Sequence, residues 1–91
     1  MRAHDICSKA AGLVAGDRER THGAKLPNHQ NIADLWNAYL GVQLTAPLTP
    51  LQIAMMMALL KIARTKLGEF NIDDFLDGVG YIAIAGEIGS T

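Results

Sequence analysis

The sequence predicts an all-α protein of about four helices, in an antiparallel bundle completed by oligomerisation. Apolar residues recur at helical spacing in four segments, and Gly, Pro or Asn residues separate these segments. From Leu51 to Leu60 the only polar side chain is Gln52, so this segment is apolar on every face. The 91 residues, 49% hydrophobic and 19% charged, indicate a single domain over 1–91.

The first helix is predicted from Ala3 to Ala15, with Gly16 as its stop. Its apolar stripe consists of Ile6, Ala10, Leu13 and Val14. The charged stretch 17–27 lacks apolar periodicity and is predicted to be a loop, where binding groups are often placed.

The second helix is predicted from Asn28 to Leu40, with Asn28 as N-cap and Gly41 as its end. Its apolar stripe consists of Ile32, Leu35, Trp36 and Tyr39.

The third helix is predicted from Pro50 to Leu67, because Thr49 caps a helix well and proline at the first helical position loses no hydrogen bond. Three companion helices are too few to cover its apolar surface, which predicts contact with a second subunit. The residues expected there are Ile53, Met56, Met57 and Leu60 or their neighbours. The run of methionines at 55–57 is alternatively an adaptable ligand surface.

The fourth helix is predicted to begin near Asn71, with Asp73 and Asp74 in its first turn, where the helix dipole favours negative charge. One face carries Phe75, Val79, Ile82 and Gly86. Small residues weaken a helix intrinsically, so their number here predicts close approach of another helix or of a ligand. They are Gly78, Gly80, Ala83, Ala85 and Gly86.

Asp74, Asp77 and Tyr81 share one face of the fourth helix. Two carboxylates one turn apart suit a hard divalent cation, so Asp74 and Asp77 are the candidate ligands of Mg²⁺. The alternative is that they are ordinary acidic residues near a helix N-terminus.

Lys61 and Arg64 lie one turn apart, and the short connection at Gly68 makes the third and fourth helices antiparallel neighbours. These cations are expected to form interhelical ion pairs with the two aspartates or to bind the phosphates of a ligand. The candidate ligand-binding or phosphate-binding residues are Arg18, His22, Lys25, His29, Lys61, Arg64 and Tyr81.

Several function classes are disfavoured. A net charge of −1 argues against binding to nucleic acid through phosphates, and no apolar stretch is long enough to cross a membrane. With no export signal in view, the expected location is the cytoplasm. The one cysteine, Cys7, is interpreted as a small packed helix residue. Neither a zinc motif nor a Cys–His nucleophile pair is supported by the spacing.

Taken together, a set of short motifs resembles a family of small bacteriophage and prophage proteins of unassigned function. The resemblance covers about residues 11–88 and implies a phage-encoded protein of the infected bacterial cytoplasm, without implying an activity. The motifs, in order, are DR at 17–18, THG at 21–23, NH at 28–29, NIA at 31–33, LW at 35–36, YLG at 39–41, MMALLKIAR at 56–64, DD at 73–74, and Asp77 with GY at 80–81.

A Lys-x-x-Arg motif followed by Asp-x-x-Asp and Tyr is also distantly similar to the all-α nucleoside triphosphate pyrophosphohydrolases of the MazG and dUTPase-like type. That resemblance implies a helical oligomer that uses Mg²⁺, with Asp74 and Asp77 matching the second acidic pair. The superfamily also has a Glu-x-x-Glu pair on an earlier helix. In place of that pair, the second predicted helix of this sequence has Asn28, His29, Asn31 and Asp34.

Three functions follow as hypotheses. The first is a Mg²⁺-dependent nucleotide pyrophosphohydrolase, in which Lys61, Arg64 and Arg18 contact phosphates. The second is a phage-encoded nucleotide sponge, or antagonist of host defence, that binds without cleaving. The third is an interaction module that forms a dimer or tetramer through the third helix, 50–67, and contacts a host or phage protein.

Overall fold

The computed structural model describes residues 1–16 and 25–90, and within them the protein is all-helical, with four α-helices and no strand. The all-α class is therefore as predicted, and so is the number of helices within those described ranges. None of the described helices is long and apolar enough to cross a membrane. The helices are α1 (Ala3–Ala15), α2 (Lys25–Leu40), α3 (Pro50–Arg64) and α4 (Ile72–Gly89), and a 3₁₀ turn, Gly41–Gln43, follows α2.

Three of the helices, α1, α3 and α4, begin where the sequence predicts. α1 has the predicted bounds, and at its start the backbone N–H of Arg2 donates to Asp5 Oδ2 at 3.2 Å. At the start of α4, the side chain of Asn71 accepts a hydrogen bond from the backbone N–H of Asp73 at 3.0 Å. This bond satisfies one of the amides that a helix N-terminus leaves without a partner.

The helix α3 starts with a reciprocal capping arrangement around Thr49. The Thr49 hydroxyl accepts from the backbone N–H of Gln52 at 3.2 Å, and the Gln52 side chain accepts from the Thr49 N–H at 3.0 Å. The helix ends at Arg64, three residues before the predicted Leu67. The chain turns away through Gly68, whose φ of +79° lies in the left-handed region that favours glycine.

The helix α2 begins at Lys25, three residues before the predicted start, so Asn28 is not its N-cap. Pro27 fits the first turn because the amide it lacks would have no acceptor within the helix. The predicted apolar stripe is only half right. Ile32 and Trp36 are half-buried, whereas Leu35 is 63% exposed and Tyr39 is 88% exposed. The residues that α2 buries are His29 and Ala33.

A side chain of α2 holds the connector that leads into α3. Asn37 donates from Nδ2 to the Leu48 carbonyl at 3.1 Å and accepts from the Leu48 N–H at 2.7 Å. These two bonds satisfy the backbone of a residue outside any helix and set where α3 begins relative to α2.

The helix α4 is central, since it packs against both α3 and α1. It runs antiparallel to α3, because Leu51 lies beside Gly89 at one end and Arg64 beside Asp74 at the other. A Cβ added to Gly80 would lie 3.2 Å from Val14 Cγ1, which confirms the predicted close helix approach at Gly80, whereas a Cβ at Gly86 would meet no atom within 4 Å.

The buried core is built largely from alanine, which leaves it small. Its hydrophobic members are Ala10, Ala33, Ile53, Ala54, Ala58, Leu76, Ile84 and Ala85. Ile53 is fully buried within this chain, so its expected place at a subunit contact is wrong. Cys7 is exposed, which corrects its interpretation as a packed residue.

Candidate functional site

Two ion pairs join α3 to α4 at the end of the helix pair that lies next to Gly68. Lys61 Nζ lies 3.1 Å from Asp77 Oδ2, and Arg64 Nε lies 3.4 Å from Asp74 Oδ1. Each helix supplies two charges one turn apart, and the antiparallel arrangement matches them in order. The predicted interhelical pairing of these four residues is therefore confirmed.

The two pairs differ in exposure. The side chains of Lys61 and Asp77 are only 16% and 15% exposed, so this pair is largely removed from water. In the other pair, the Asp74 side chain is 9% exposed and the Arg64 side chain is 58% exposed. Arg64 is thus paired through Nε with a buried carboxylate, while more than half of its side chain remains exposed.

A surface depression of about 480 Å³ lies beside the anchored arginine. Its position at the C-terminal end of α3 and the N-terminal end of α4 places backbone and side-chain polar groups around a single volume. The depression is lined by Ala63, Arg64, Leu67, Gly68, Glu69, Asn71 and Asp74. Of these, the sequence singled out only Arg64 and Asp74 as candidate site residues.

Beyond Asp77 along α4, the ring of Tyr81 packs against a buried histidine of α2. His29 on α2 is 3% exposed, and its ring meets that of Tyr81 edge-on, with centroids 6.3 Å apart. Tyr81 is one helical turn beyond Asp77. At the start of α2, Lys25 Nζ lies 3.8 Å from Glu87 Oε1, a pairing that the sequence did not indicate.

We call the side of the α3–α4 pair that carries Lys61, Arg64, Asp74, Asp77 and Tyr81 the polar side. Of the predicted ligand-binding residues, the structure brings His29 to Tyr81 and places Lys61 and Arg64 against the two aspartates. Arg18 and His22 lie outside the described residues.

Both aspartates are already paired with cations, Asp77 with Lys61 and Asp74 with Arg64. The described residues contain no group of three His, Cys, Asp or Glu side chains that could hold a metal ion. Mg²⁺ is commonly held by one or two protein carboxylates together with the phosphates of a substrate. The assignment of Asp74 and Asp77 as ligands of Mg²⁺ therefore stays a prediction.

The opposite side of the helix pair is apolar. On α4, the residues Phe75, Val79 and Ile82 are each 37–48% exposed, and they lie roughly opposite Asp77 and Tyr81 at 100° per residue. On α3, the residues Met55, Leu59 and Ile62 are exposed at the same four-then-three spacing. We call these six residues the apolar side.

A groove of about 490 Å³ follows the apolar side between the two helices. It is lined by Ile62, Thr65, Asp74, Phe75, Gly78, Val79, Ile82 and Ala83. Asp74 borders both this groove and the polar depression, so it marks the boundary between the two sides. The sequence showed that Phe75, Val79 and Ile82 share a face, but not that Ile62 completes it.

Comparison with known proteins identifies relatives in phages. Residues 5–89 match the family described as "Domain of unknown function (DUF6378)". The chain is 38% identical over 80 residues to the Gene 55 protein of Mycobacterium phage L5, and 32% identical over 79 residues to the Gene 55 protein of Mycobacterium phage D29. Each alignment covers 87% of this chain but only about half of the relative, 49% and 50% respectively. No solved structure matches the chain.

Proposed function

The chain belongs to the family described as Domain of unknown function (DUF6378), which has phage members, and we propose that it binds a nucleotide through the polar side without hydrolysing it. The observation that carries this proposal is the anchoring of Arg64. Its Nε is held by the buried Asp74 while its side chain remains 58% exposed beside the depression.

An anchored arginine is well suited to a phosphate. The guanidinium presents its terminal N–H groups as a planar fork that matches two phosphate oxygens. Because Asp74 already fixes the Nε end, less side-chain entropy is lost when the phosphate binds. The phosphate would enter the depression from solvent and meet the outer edge of Arg64.

The charges also explain why binding is favoured over cleavage. Lys61 and Arg64 neutralise both aspartates, and the described residues offer no third ligand for a resident metal. In this proposal Mg²⁺ therefore accompanies the phosphates of the nucleotide as their counter-ion. The pyrophosphohydrolase activity implied by the distant MazG-like resemblance remains the second candidate, and the same experiment tests it.

The test incubates the protein at stoichiometric concentration with Mg²⁺ and a panel of linear and cyclic nucleotides, followed by mass spectrometry of the filtrate and of the heat-released bound fraction. An unchanged nucleotide retained by the protein supports the proposal. A nucleoside monophosphate product overturns binding without hydrolysis and supports the pyrophosphohydrolase, in which case Asp77→Asn abolishes turnover. A panel left free and intact favours a protein-binding module that contacts a host or phage protein.

A matched pair of variants tests the role of Arg64. Arg64→Gln removes a charge-assisted hydrogen-bond donor, which is worth about 1.5–3 kcal/mol, so the Kd for the retained nucleotide should rise about 10- to 100-fold. Lys66→Gln removes the same charge from an exposed residue two positions away and should leave the Kd nearly unchanged. Equal effects of the two variants, measured by calorimetry, would contradict a specific role for Arg64.

We also propose that two copies of the chain associate through the apolar side. Taking α3 as 15 residues and α4 as 18, the two helices side by side are about 22–27 Å long and roughly 20 Å wide. That flat footprint of about 500 Å², enlarged by protruding side chains, approaches the roughly 800 Å² per partner of a stable interface.

A second copy is the proposed partner because an uncharged surface can meet its own copy without electrostatic repulsion. Its six residues are uncharged, so a two-fold arrangement brings no like charges together. The one acidic residue that lines the groove, Asp74, is paired with Arg64. Packing the α3–α4 pair of one copy on that of the other would give a two-layer arrangement of four helices. It would cover the large apolar side chains that the alanine-rich core leaves exposed. Analytical ultracentrifugation of the wild-type protein tests this association.

A further inference from the structure

A buried histidine on α2 has one ring nitrogen committed to the backbone. His29 Nδ1 lies 2.8 Å from the carbonyl oxygen of Lys25, one helical turn earlier. Because a carbonyl oxygen can only accept a hydrogen bond, Nδ1 carries the proton and donates it. In the neutral imidazole the other nitrogen, Nε2, is then an unprotonated acceptor.

This acceptor nitrogen is buried without a partner. His29 is 3% exposed, and Nε2 has no hydrogen-bond partner among the residues that the structure describes. Buried polar atoms are nearly always paired, and leaving one unpaired destabilises the fold. A retained, unpaired acceptor is therefore the kind of group that a ligand donor satisfies.

The position of His29 connects it to the proposed phosphate-binding residue. Its ring packs edge-on against Tyr81, which lies on the same side of α4 as Asp74 and Asp77. Tyr81 is seven residues beyond Asp74, about 10 Å along the helix axis. A ligand with phosphates at Arg64 would extend its other end toward the His29 and Tyr81 rings.

An imidazole whose Nδ1 donates to a carbonyl is also the usual arrangement of a histidine that binds a metal. The described residues supply no three-group cluster to complete such a site, and Asp77, one helical turn before Tyr81, is paired with Lys61. A hydrogen-bond donor needs only the single acceptor that the structure provides. The geometry therefore favours an O–H or N–H group over a metal ion at Nε2.

Building on the proposed nucleotide binding, we infer that His29 Nε2 accepts a hydrogen bond from the nucleoside part of the ligand. The donor is a sugar hydroxyl or a base amino group, and the ring of Tyr81 lies beside it. Because a site built to pair with a donor rejects an analogue lacking it, His29 would set ligand specificity as well as affinity.

Two variants separate the two ring nitrogens. His29→Asn keeps an amide N–H in reach of the Lys25 carbonyl but removes the acceptor at the Nε2 position, and should weaken nucleotide binding at least 10-fold. His29→Gln extends an amide oxygen toward the Nε2 position and should recover part of that loss. Tyr39→Ala, at a position of the same helix that is 88% exposed, is the control and should bind as the wild type does. Thermal melts establish that each variant is folded.

A measurement on the wild-type protein needs no substitution. The ¹⁵N chemical shift of His29 Nε2 should move on saturation with the retained nucleotide, because an acceptor nitrogen responds to a new hydrogen bond. Comparing a ribonucleotide with its 2′-deoxy form, and an adenine nucleotide with its hypoxanthine counterpart, identifies whether the donor belongs to the sugar or to the base.

The outcomes distinguish this inference from the function on which it rests. If the wild type binds a nucleotide but the Nε2 shift stays fixed and His29→Asn binds normally, the role of His29 is overturned while nucleotide binding stands. If the wild type binds no nucleotide, the proposed function fails and this inference fails with it. A moved shift together with weaker binding by His29→Asn supports both.

Discussion

The two sides of the α3–α4 helix pair differ in the groups that a single copy of the chain leaves available for binding. On the polar side, Lys61 and Arg64 are paired with Asp77 and Asp74 of the same chain. The groups there that could still bind a ligand are the solvent-facing edge of Arg64 and the buried Nε2 of His29. On the apolar side, Met55, Leu59, Ile62, Phe75, Val79 and Ile82 contact solvent within a single copy. The first side is suited to a small polar ligand and the second to another protein surface, so the two functions can be perturbed separately.

The largest effect is expected on the apolar side. Ile62→Glu places a carboxylate in the groove of the apolar side, where association would remove it from water without a cation to pair with. The variant should be monomeric at concentrations where the wild type is a dimer, which corresponds to at least a 100-fold rise in the dimer Kd. Analytical ultracentrifugation gives this constant.

The control for that variant is Val42→Glu, because Val42 is fully exposed in the 3₁₀ turn and lies outside the apolar side. It should leave the dimer intact. If the wild type is itself a monomer at tens of micromolar, or if both glutamate variants behave alike, the apolar side is not a dimer interface.

The sequence predicted the starts of α3 and α4 better than it predicted which faces of the helices are buried. The caps Thr49 and Asn71 accept hydrogen bonds from residues three and two positions later in the chain. Because these bonds are local, the capping roles follow from the sequence alone. The pairing of Lys61 and Arg64 with the aspartates was also accessible, because a short connection between helices fixes which ends meet.

The faces of α2 and α3 were less predictable, because tertiary contacts decide which way a helix is rotated. Burial of Ala33 against the rest of the chain turns Leu35 and Tyr39 outward, although both looked like core residues. Ile53 was expected at a subunit contact but is fully buried in its own chain. An alanine-rich core gives little hydrophobic contrast in the sequence, so the small residues that mark the inner face are easily overlooked.

On the polar side, the next largest effect is a loss of folding stability. Lys61→Met removes the cation 3.1 Å from Asp77 and leaves that carboxylate, 15% exposed, without its lysine partner. The free energy of unfolding in urea should fall by about 1–3 kcal/mol. Lys61→Met combined with Asp77→Leu removes both charges and should recover much of the loss.

Lys66→Met serves as the control for this pair, since Lys66 is exposed and its removal should change stability by less than about 0.5 kcal/mol. Asp77→Leu is measured alone as well. If the free energy of unfolding lost by the double variant equals the sum of the losses of Lys61→Met and Asp77→Leu, then Lys61 and Asp77 do not stabilise the fold as a pair.

Salt should affect the two sides in opposite directions. Raising the ionic strength from about 0.01 M to about 0.15 M shortens the Debye length from roughly 30 Å to roughly 8 Å, which weakens attraction between a phosphate and Arg64. Nucleotide affinity should fall several-fold, whereas apolar association should hold or strengthen, most clearly in sulfate. Equal weakening of both equilibria, measured by calorimetry and ultracentrifugation, would contradict the assignment of the two sides.

The smallest effect is expected from Gly86→Ala in α4, and comparison with Gly80 explains it. A Cβ at Gly80 would meet Val14 Cγ1 at 3.2 Å, whereas a Cβ at Gly86 has no neighbouring atom within 4 Å in this chain. Gly86→Ala should therefore stabilise the monomer by roughly 0.5–1 kcal/mol through helix propensity, as measured by urea unfolding of dilute protein. If it also weakens the dimer, a helix of the second copy approaches Gly86 as closely as α1 approaches Gly80. If the dimer Kd is unchanged, the partner instead packs toward the Phe75 end of the groove.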